Sequence, residues 1–116
     1  MTISGIGIDI VNTERFKNFN TQVDTFLEKI FTDKELEYCF NQSLPSNSLA
    51  GKFAAKEAII KIFNKTFISD LKDLEILNDK YGKPFVNKAP IGIDTTNIKI
   101  SISHDGNFAV AVASYN

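Results

Sequence analysis

The sequence predicts an α+β fold, with an antiparallel sheet packed against a long central helix and shorter helices. Three observations carry that expectation. Helix-spaced apolar residues fill much of the first half of the chain. Alternating apolar runs separated by turn residues dominate the second half, and a further alternating run stands near the start. At 116 residues, with 43% hydrophobic content, the chain suits one compact domain over 1–116.

From Ile3 to Val11 the residues alternate. Ile6, Ile8 and Ile10 face one way, while Gly5, Gly7, Asp9 and Val11 face the other. The second face is nearly bare, so another backbone or a ligand can approach it closely. Thr13 to Phe19 suits a short helix, and Val23 to Ile30 another. Thr32 followed by Glu35 reads as a capping box opening a helix through Phe40. Asn41 to Ser48 is polar, contains Pro45 and reads as a loop.

The main helix is expected from near Ser48 to about Phe63. Leu49, Phe53, Ile60 and Phe63 form its apolar stripe, and Ala50, Ala54, Ala55 and Ala58 favour helix and permit close packing. Leu74 to Leu77 reads as a strand, followed by a turn at Lys80-Tyr81-Gly82-Lys83 that leads into Pro84-Phe85-Val86. Asn87 to Thr96 is irregular. Ile98, Ile100 and Ile102 alternate, Asp105-Gly106-Asn107 is a hairpin turn, and Phe108 to Ala113 alternates again.

Composition removes several function classes. Thirteen basic against fourteen acidic residues leave a formal charge of −1, which gives no electrostatic case for nonspecific nucleic-acid binding. The single Cys39 excludes an intrachain disulfide and a cysteine-based zinc cage, and fits a reducing compartment. No apolar run approaches membrane-spanning length, and the first residues lack a basic segment followed by a hydrophobic block. The expectation is a cytoplasmic protein. A short domain buries a modest share of its surface, so self-association is expected too.

Three distant segments carry candidate chemistry. In Lys56-Glu57-Ala58-Ile59-Ile60-Lys61, Glu57 lies about 40° around the helix from Phe53 and about 60° from Ile60, beside the buried stripe. A carboxylate there needs a compensating cation, metal or hydrogen bonds. It is either an ion pair with Lys61 four residues on, or a ligand. Asp9 works against strand propensity, and is either a satisfied edge residue or a metal ligand. His104, the only histidine, follows Ser101-Ile102-Ser103, and is either a surface residue or a phosphate donor. Ser101 and Ser103 share a face and can add donors. Lys52, Lys56 and Lys61 form either a solvated basic edge or a set of phosphate contacts. Gly5-x-Gly7 lacks the third glycine of a dinucleotide fingerprint, and no Walker A loop is present. Two acids with several cations point to chemistry on a phosphorylated cofactor.

Together these segments resemble the holo-acyl-carrier-protein synthases, the short class of 4′-phosphopantetheinyl transferases. The G-x-G-x-D-I pattern stands as Gly5-Ile6-Gly7-Ile8-Asp9-Ile10, with Arg15 six residues after the aspartate. The helix pattern F-A-x-K-E-A-x-x-K stands as Phe53-Ala54-Ala55-Lys56-Glu57-Ala58-Ile59-Ile60-Lys61. A G-K-P turn is Gly82-Lys83-Pro84, and S-x-S-H is Ser101-Ile102-Ser103-His104.

The resemblance covers nearly the whole chain and implies the transferase-like fold. It also implies transfer of 4′-phosphopantetheine from coenzyme A to a serine of apo-acyl carrier protein, a step of fatty acid biosynthesis, with release of adenosine 3′,5′-bisphosphate. It makes Asp9 and Glu57 magnesium ligands, groups Asp9, Glu57 and Lys61 as the catalytic set, and makes Arg15 a carrier-protein contact. Lys52, Lys56, Lys61, Lys83, Ser103 and His104 become coenzyme A contacts. It implies a homotrimer with interfacial active sites.

Two departures from the family pattern stand out. The segment after the helix reads Phe63-Asn64-Lys65-Thr66-Phe67 where a Gly-Thr-Gly run is common, and the first helix mixes Lys17 and Lys29 with Asp24 and Glu28. Two rival functions use the same residues. A noncatalytic carrier-protein binder would not need intact Asp9, Glu57 and Lys61, and a metal-dependent phosphohydrolase would need neither an acceptor protein nor Arg15.

Overall fold

Glycines at alternate positions of the first strand let the longest helix lie directly on it, and the architecture is arranged around that contact. The computed structural model describes residues 3–21 and 23–116. Strand β1 (Gly5–Asn12) leads into a 3₁₀ turn (Thr13–Phe16), then α1 (Thr25–Ile30), α2 (Asp33–Phe40) and the long α3 (Pro45–Phe63). Strands β2 (Glu75–Asn78) and β3 (Pro84–Lys88) follow, then β4 (Ile98–Asp105) and β5 (Phe108–Tyr115). Short 3₁₀ turns at Leu71–Asp73 and Thr95–Asn97 precede β2 and β4.

The strands form an antiparallel three-stranded sheet in the order β1-β5-β4 and an antiparallel pair β2-β3. This is the expected α+β arrangement. The Thr32–Glu35 capping box forms as expected, with the hydroxyl accepting from the Glu35 amide and the carboxylate accepting from the Thr32 amide.

Three boundaries need correction. The short helix expected over Thr13 to Phe19 is a 3₁₀ turn that ends at Phe16, and α1 begins at Thr25 rather than Val23 because Asp24 caps it, its side chain accepting from the Phe26 and Leu27 amides. The segment 41–48 is not loop throughout, because α3 begins at Pro45, three residues before the expected start. Proline is suited to a first helical position, since its missing N–H would have no intrahelical partner there.

Burial on α3 extends well beyond one stripe. Leu49, Phe53, Ile60 and Phe63 are buried as expected, but so are Ala50, Ala54, Ala55, Ala58 and Ile59. The helix is wedged between the sheet on one side and α1, α2 and the β2-β3 pair on the other. Gly7 sits so close to it that a built Cβ would lie 1.9 Å from the Ala58 carbonyl oxygen. Near the helix's other end, a Cβ on Gly51 would lie 3.0 Å from Ile102 and His104 of β4. The helix therefore crosses the sheet diagonally, from β4 at Gly51 to β1 at Ala58.

The same contact turns the isoleucines outward. Ile6, Ile8 and Ile10 are 72%, 60% and 62% exposed. Register sets them beside Ser114, Val112 and Val110 of β5, with Lys99, Ser101 and Ser103 of β4 beyond.

A buried polar knot ties the remaining layers together. The Lys56 ammonium, fully buried, donates to Glu35 Oε1 at 2.7 Å and to the carbonyls of Ile30 and Leu71. Glu35 Oε2 accepts from the Ile76 amide of β2 at 2.7 Å. Thr32 Oγ1 donates to Glu75 Oε2 at 2.6 Å, and Asn87 Nδ2 donates to Glu75 Oε1. Burial pushes the Glu75 carboxyl upward, but those two hydrogen bonds together with the charges of Lys88 and Lys34 outweigh it and hold the carboxyl below its ordinary value. Every charged group in the knot is hydrogen-bonded, and Lys56 and Glu35 form an ion pair as well.

Gly7→Ala should destabilise the fold by about 3 kcal/mol or more, because the added methyl meets helix backbone that has no flexible end to move. Gly82→Ala, at φ +83° with open space around it, should cost only about 1 kcal/mol. Urea denaturation of the two variants checks the contrast, and equal losses would contradict it.

Candidate active site

Asp9 projects from the inward face of β1, which the glycines leave open. Gly5 faces Ile62, and Gly7 faces Ala58 and Lys61, so β1 and α3 run in opposite directions. Two more strand residues span about the rise of four helix residues, which sets Asp9 at the level of Ala54 to Glu57. Lys61 fixes the arrangement. Its ammonium donates to the Ile8 carbonyl at 2.7 Å and reaches Asp9 Oδ1 at 3.4 Å.

Glu57 stands one turn before Lys61 on the same flank. The ion pair between them, one of the two sequence readings, does not form, because Lys61 turns to β1 instead. Glu57 is half-buried, with no hydrogen bond or ion pair among the described residues. Glu57 and Asp9, on facing elements and each linked to Lys61 (one by a helical turn, the other by a long contact), offer oxygen donors of the kind a hard divalent cation takes. No cluster of three or more His, Cys, Asp or Glu accompanies them among the described residues, so water and substrate oxygens would complete the coordination. Magnesium fits this donor set.

The opposite flank of α3 borders a cavity of about 360 Å³, lined by Tyr38, Asn47, Gly51, Lys52, Asn78 and His104 among others. Lys52 lies about 140° around the helix from Glu57. It is nearly buried, donating to the Ile76 carbonyl at 2.6 Å and Asn78 Oδ1 at 2.7 Å, with its ammonium 4.7 Å from the Tyr38 ring centre. Burial pushes its pKa below that of an ordinary lysine, against the opposing pull of Cys39, Glu35 and Glu75. The His104 ring nitrogen Nε2 lies 2.8 Å from the Asn47 carbonyl. A carbonyl only accepts, so Nε2 carries the proton.

Other expected contacts are placed elsewhere. Lys56 does not face a phosphate site, because burial in the knot with Glu35 occupies its ammonium completely. Burial lowers its pKa, and Glu35 opposes that shift. Ser103 is not beside His104. Alternation along β4 sends Ser101 and Ser103 to the outer face, next to Val112 and Val110. Lys83 is exposed on the turn and borders a neighbouring groove, while Gly82 and Pro84 line the cavity.

Arg15 is exposed on the 3₁₀ turn, its guanidinium 4.9 Å from the Phe53 ring centre. Nearby, Phe19 and Phe26 stack at 5.7 Å with nearly parallel rings. Asn64, in the segment after the helix, adopts φ 76° and ψ 165°, a conformation that usually calls for glycine. Its side chain accepts from the Thr66 and Phe67 amides, so those donors are engaged within the loop.

Tyr38, Asn47, Gly51 and Asn78 of the cavity were not foreseen from sequence. A glycine within a helical run was the one available signal, since it weakens the helix without an evident local reason.

With this geometry in hand, comparisons with known proteins are informative. A family model described as the 4′-phosphopantetheinyl transferase superfamily matches residues 5–113. The holo-[acyl-carrier-protein] synthase of Caldicellulosiruptor saccharolyticus is 44% identical over 117 residues, covering 96% of this chain and 94% of that protein. The Clostridium botulinum (strain Eklund 17B) synthase is 42% identical, covering 96% and 95%. Among solved structures, the Bacillus anthracis holo-(acyl-carrier-protein) synthase in complex with CoA (3′,5′-ADP) matches at TM-score 0.77 and 32% identity, covering 98% and 97%. The Helicobacter pylori synthase in complex with coenzyme A matches at TM-score 0.78 and 29% identity, covering 97% and 100%.

Cys39 lies behind the cavity wall, fully buried, with the Ser48 hydroxyl donating to its sulfur at 3.2 Å. Burial pushes its thiol up to about 11, against the lowering effect of that hydrogen bond. Native protein near pH 8 should therefore react with iodoacetamide about a hundredfold more slowly than the same protein in denaturant. Mass spectrometry of timed samples measures this, and comparable rates would contradict the burial.

Proposed function

The chain belongs to the 4′-phosphopantetheinyl transferase superfamily, and from that membership we propose that it is a magnesium-dependent holo-acyl-carrier-protein synthase. It transfers 4′-phosphopantetheine from coenzyme A to a serine hydroxyl of apo-acyl carrier protein and releases adenosine 3′,5′-bisphosphate. The observation that carries the catalytic assignment is the meeting of Asp9 and Lys61 beside unpaired Glu57 on one flank of α3.

Asp9 and Glu57 hold magnesium in this reading. When bound there, magnesium would supply charge neutralisation at the diphosphate. Lys61, tethered to the Ile8 carbonyl with its ammonium half-exposed, is placed to stabilise the departing phosphate. The serine proton passes to a general base on the same flank, for which Glu57 is one candidate and a water molecule the other. Lys52 and His104, across the helix, take the 3′-phosphate end of coenzyme A. Lys65, exposed on the loop after α3, is a further phosphate contact. Arg15 and the adjoining Phe19–Phe26 stack receive the acidic carrier protein.

In one chain the acids and the cavity lie on opposite flanks of α3. That division supports a site completed between subunits, with Asp9, Glu57 and Lys61 from one and Lys52 and His104 from its neighbour. The uncovered isoleucine face of β1 supports the same reading, since a contiguous exposed apolar face favours association. The assembly is a homotrimer whose subunits each function as a single domain over 1–116. Among the described residues no helix is long and apolar enough to cross a membrane. In this reading the enzyme works in the cytoplasm, on fatty acid biosynthesis.

The test is transfer itself. Incubation with coenzyme A, magnesium and an apo-acyl carrier protein should add the mass of the phosphopantetheinyl arm to the carrier. Glu57→Gln should keep the thermal unfolding profile yet slow transfer by about a hundredfold or more, as expected for loss of a charged metal ligand. Near-normal turnover would remove Glu57 from the mechanism. Ile8→Asp should convert a trimer, measured by light scattering on a sizing column, into monomer and reduce transfer with it. A wild-type monomer that is fully active would overturn the shared site.

A further inference from the structure

A glycine inside a helix costs about 1 kcal/mol relative to alanine, so its presence there asks for a compensating gain. Gly51 is the only glycine of α3, and it is buried seven residues into the helix. What fills the missing side chain's place is the His104 ring. A Cβ at Gly51 would stand 3.0 Å from His104 Nε2, 3.2 Å from Cε1, and 3.0 Å from Ile102 Cγ2. The same edge of the imidazole meets the Asn47 carbonyl at 2.8 Å. That carbonyl is also the helical partner of the Gly51 amide, four residues on, and its second lone pair serves the ring.

We propose that Gly51 is a positioning residue for the donor substrate: its bare Cα admits the His104 ring against α3, fixes Nε2–H on the Asn47 carbonyl, and leaves Nδ1 as the nitrogen that meets an anionic group in the cavity. The proposal rests on the reading that this cavity takes the 3′-phosphate end of coenzyme A. With Nε2 committed as a donor, Nδ1 contacts a phosphate oxygen only by carrying the ring's second proton. Lys52, on the same cavity wall, is the neighbouring positive group, and its own ammonium is held by Ile76 and Asn78. Gly51 therefore sets where the ring, and with it Nδ1, stands in the anion site.

Alanine at position 51 asks the ring and Ile102 to yield by only a few tenths of an ångström, so the fold should survive. Two readouts test the idea. His104 is the only histidine, so its ring resonances in long-range proton–nitrogen spectra need no assignment by mutation. Wild-type protein should show the Nε2–H tautomer, with Nδ1 shifting on addition of adenosine 3′,5′-bisphosphate. Gly51→Ala should displace the ring signals and weaken that response.

In transfer kinetics with the full chain, Gly51→Ala should raise KM for coenzyme A about fivefold with kcat little changed. KM for dephospho-coenzyme A, which lacks the 3′-phosphate, should stay as in wild type. Gly51→Ala should add nothing further in a His104→Ala background. Unmoved ring signals in Gly51→Ala would overturn the proposal. So would equal KM increases for both donors, additive with His104→Ala, because that is the pattern of a merely structural glycine. If His104→Ala keeps the wild-type preference for the 3′-phosphate, the phosphate assignment fails and the proposal with it. Persisting transfer in that variant would show that the synthase reading itself stands.

Discussion

The contact between Gly7 and the backbone of Ala58 is the constraint from which the rest of the molecule follows. A strand and a helix ordinarily keep the distance their side chains impose. Here the strand carries none at two alternate positions, and the helix settles onto the peptide plane. That approach brings Asp9 within reach of Lys61, turns Lys61 away from Glu57, and leaves Glu57 without a partner among the described residues. It also decides which face of β1 is inside. The isoleucines, which carry most of the strand's apolar surface, are sent outward because the opposite face is the one that fits the helix.

The lysines of α3 show how position on one helix divides labour among chemically identical side chains. Lys56 points into the layer formed by α1, α2 and β2, where Glu35 and two carbonyls surround it, and it serves cohesion only. Lys52 is nearly as buried, but one side of its surroundings is an open cavity. Lys61 stays half-exposed and is tied to β1 by a single strong hydrogen bond. A buried ammonium must spend its donors on the protein, whereas a partly exposed one keeps some for a ligand. Removing either partner of the Lys56–Glu35 pair would strand a charge in the interior, so this ion pair acts more as a specifier of layer packing than as a reserve of stability.

The three-stranded sheet is covered on one face only. Its helix-facing side is built from small residues, Ala109, Ala111 and Ala113, that let α3 cross close to the strands. Its other side presents Ile6, Ile8, Ile10, Val110 and Val112 in register. Small residues inside and branched apolar ones outside reverse the usual pattern of a solvated sheet. The reversal leaves a contiguous apolar face exposed on the outer side of the sheet, with Ile6, Ile8 and Ile10 all more than half accessible.

Much of this was legible from residue order. Period-two alternation marked β1, β4 and β5, the Thr32–Glu35 pair marked the start of α2, and four short segments in order, those of Asp9, Glu57 with Lys61, Lys83 and His104, carried the resemblance to the family whose model matches residues 5–113. Local signals of this kind depend on neighbours within a few positions, which is why they survive in a one-dimensional reading. Which face of β1 is buried, that Lys56 is a core residue, that Ser103 and His104 part company across the sheet, and that Gly51 makes room for an imidazole fifty-three positions away were decided by tertiary packing alone. Those outcomes depend on how closely two backbones approach and on which layer fills the remaining space, and neither quantity is written in the spacing of residues along a single segment.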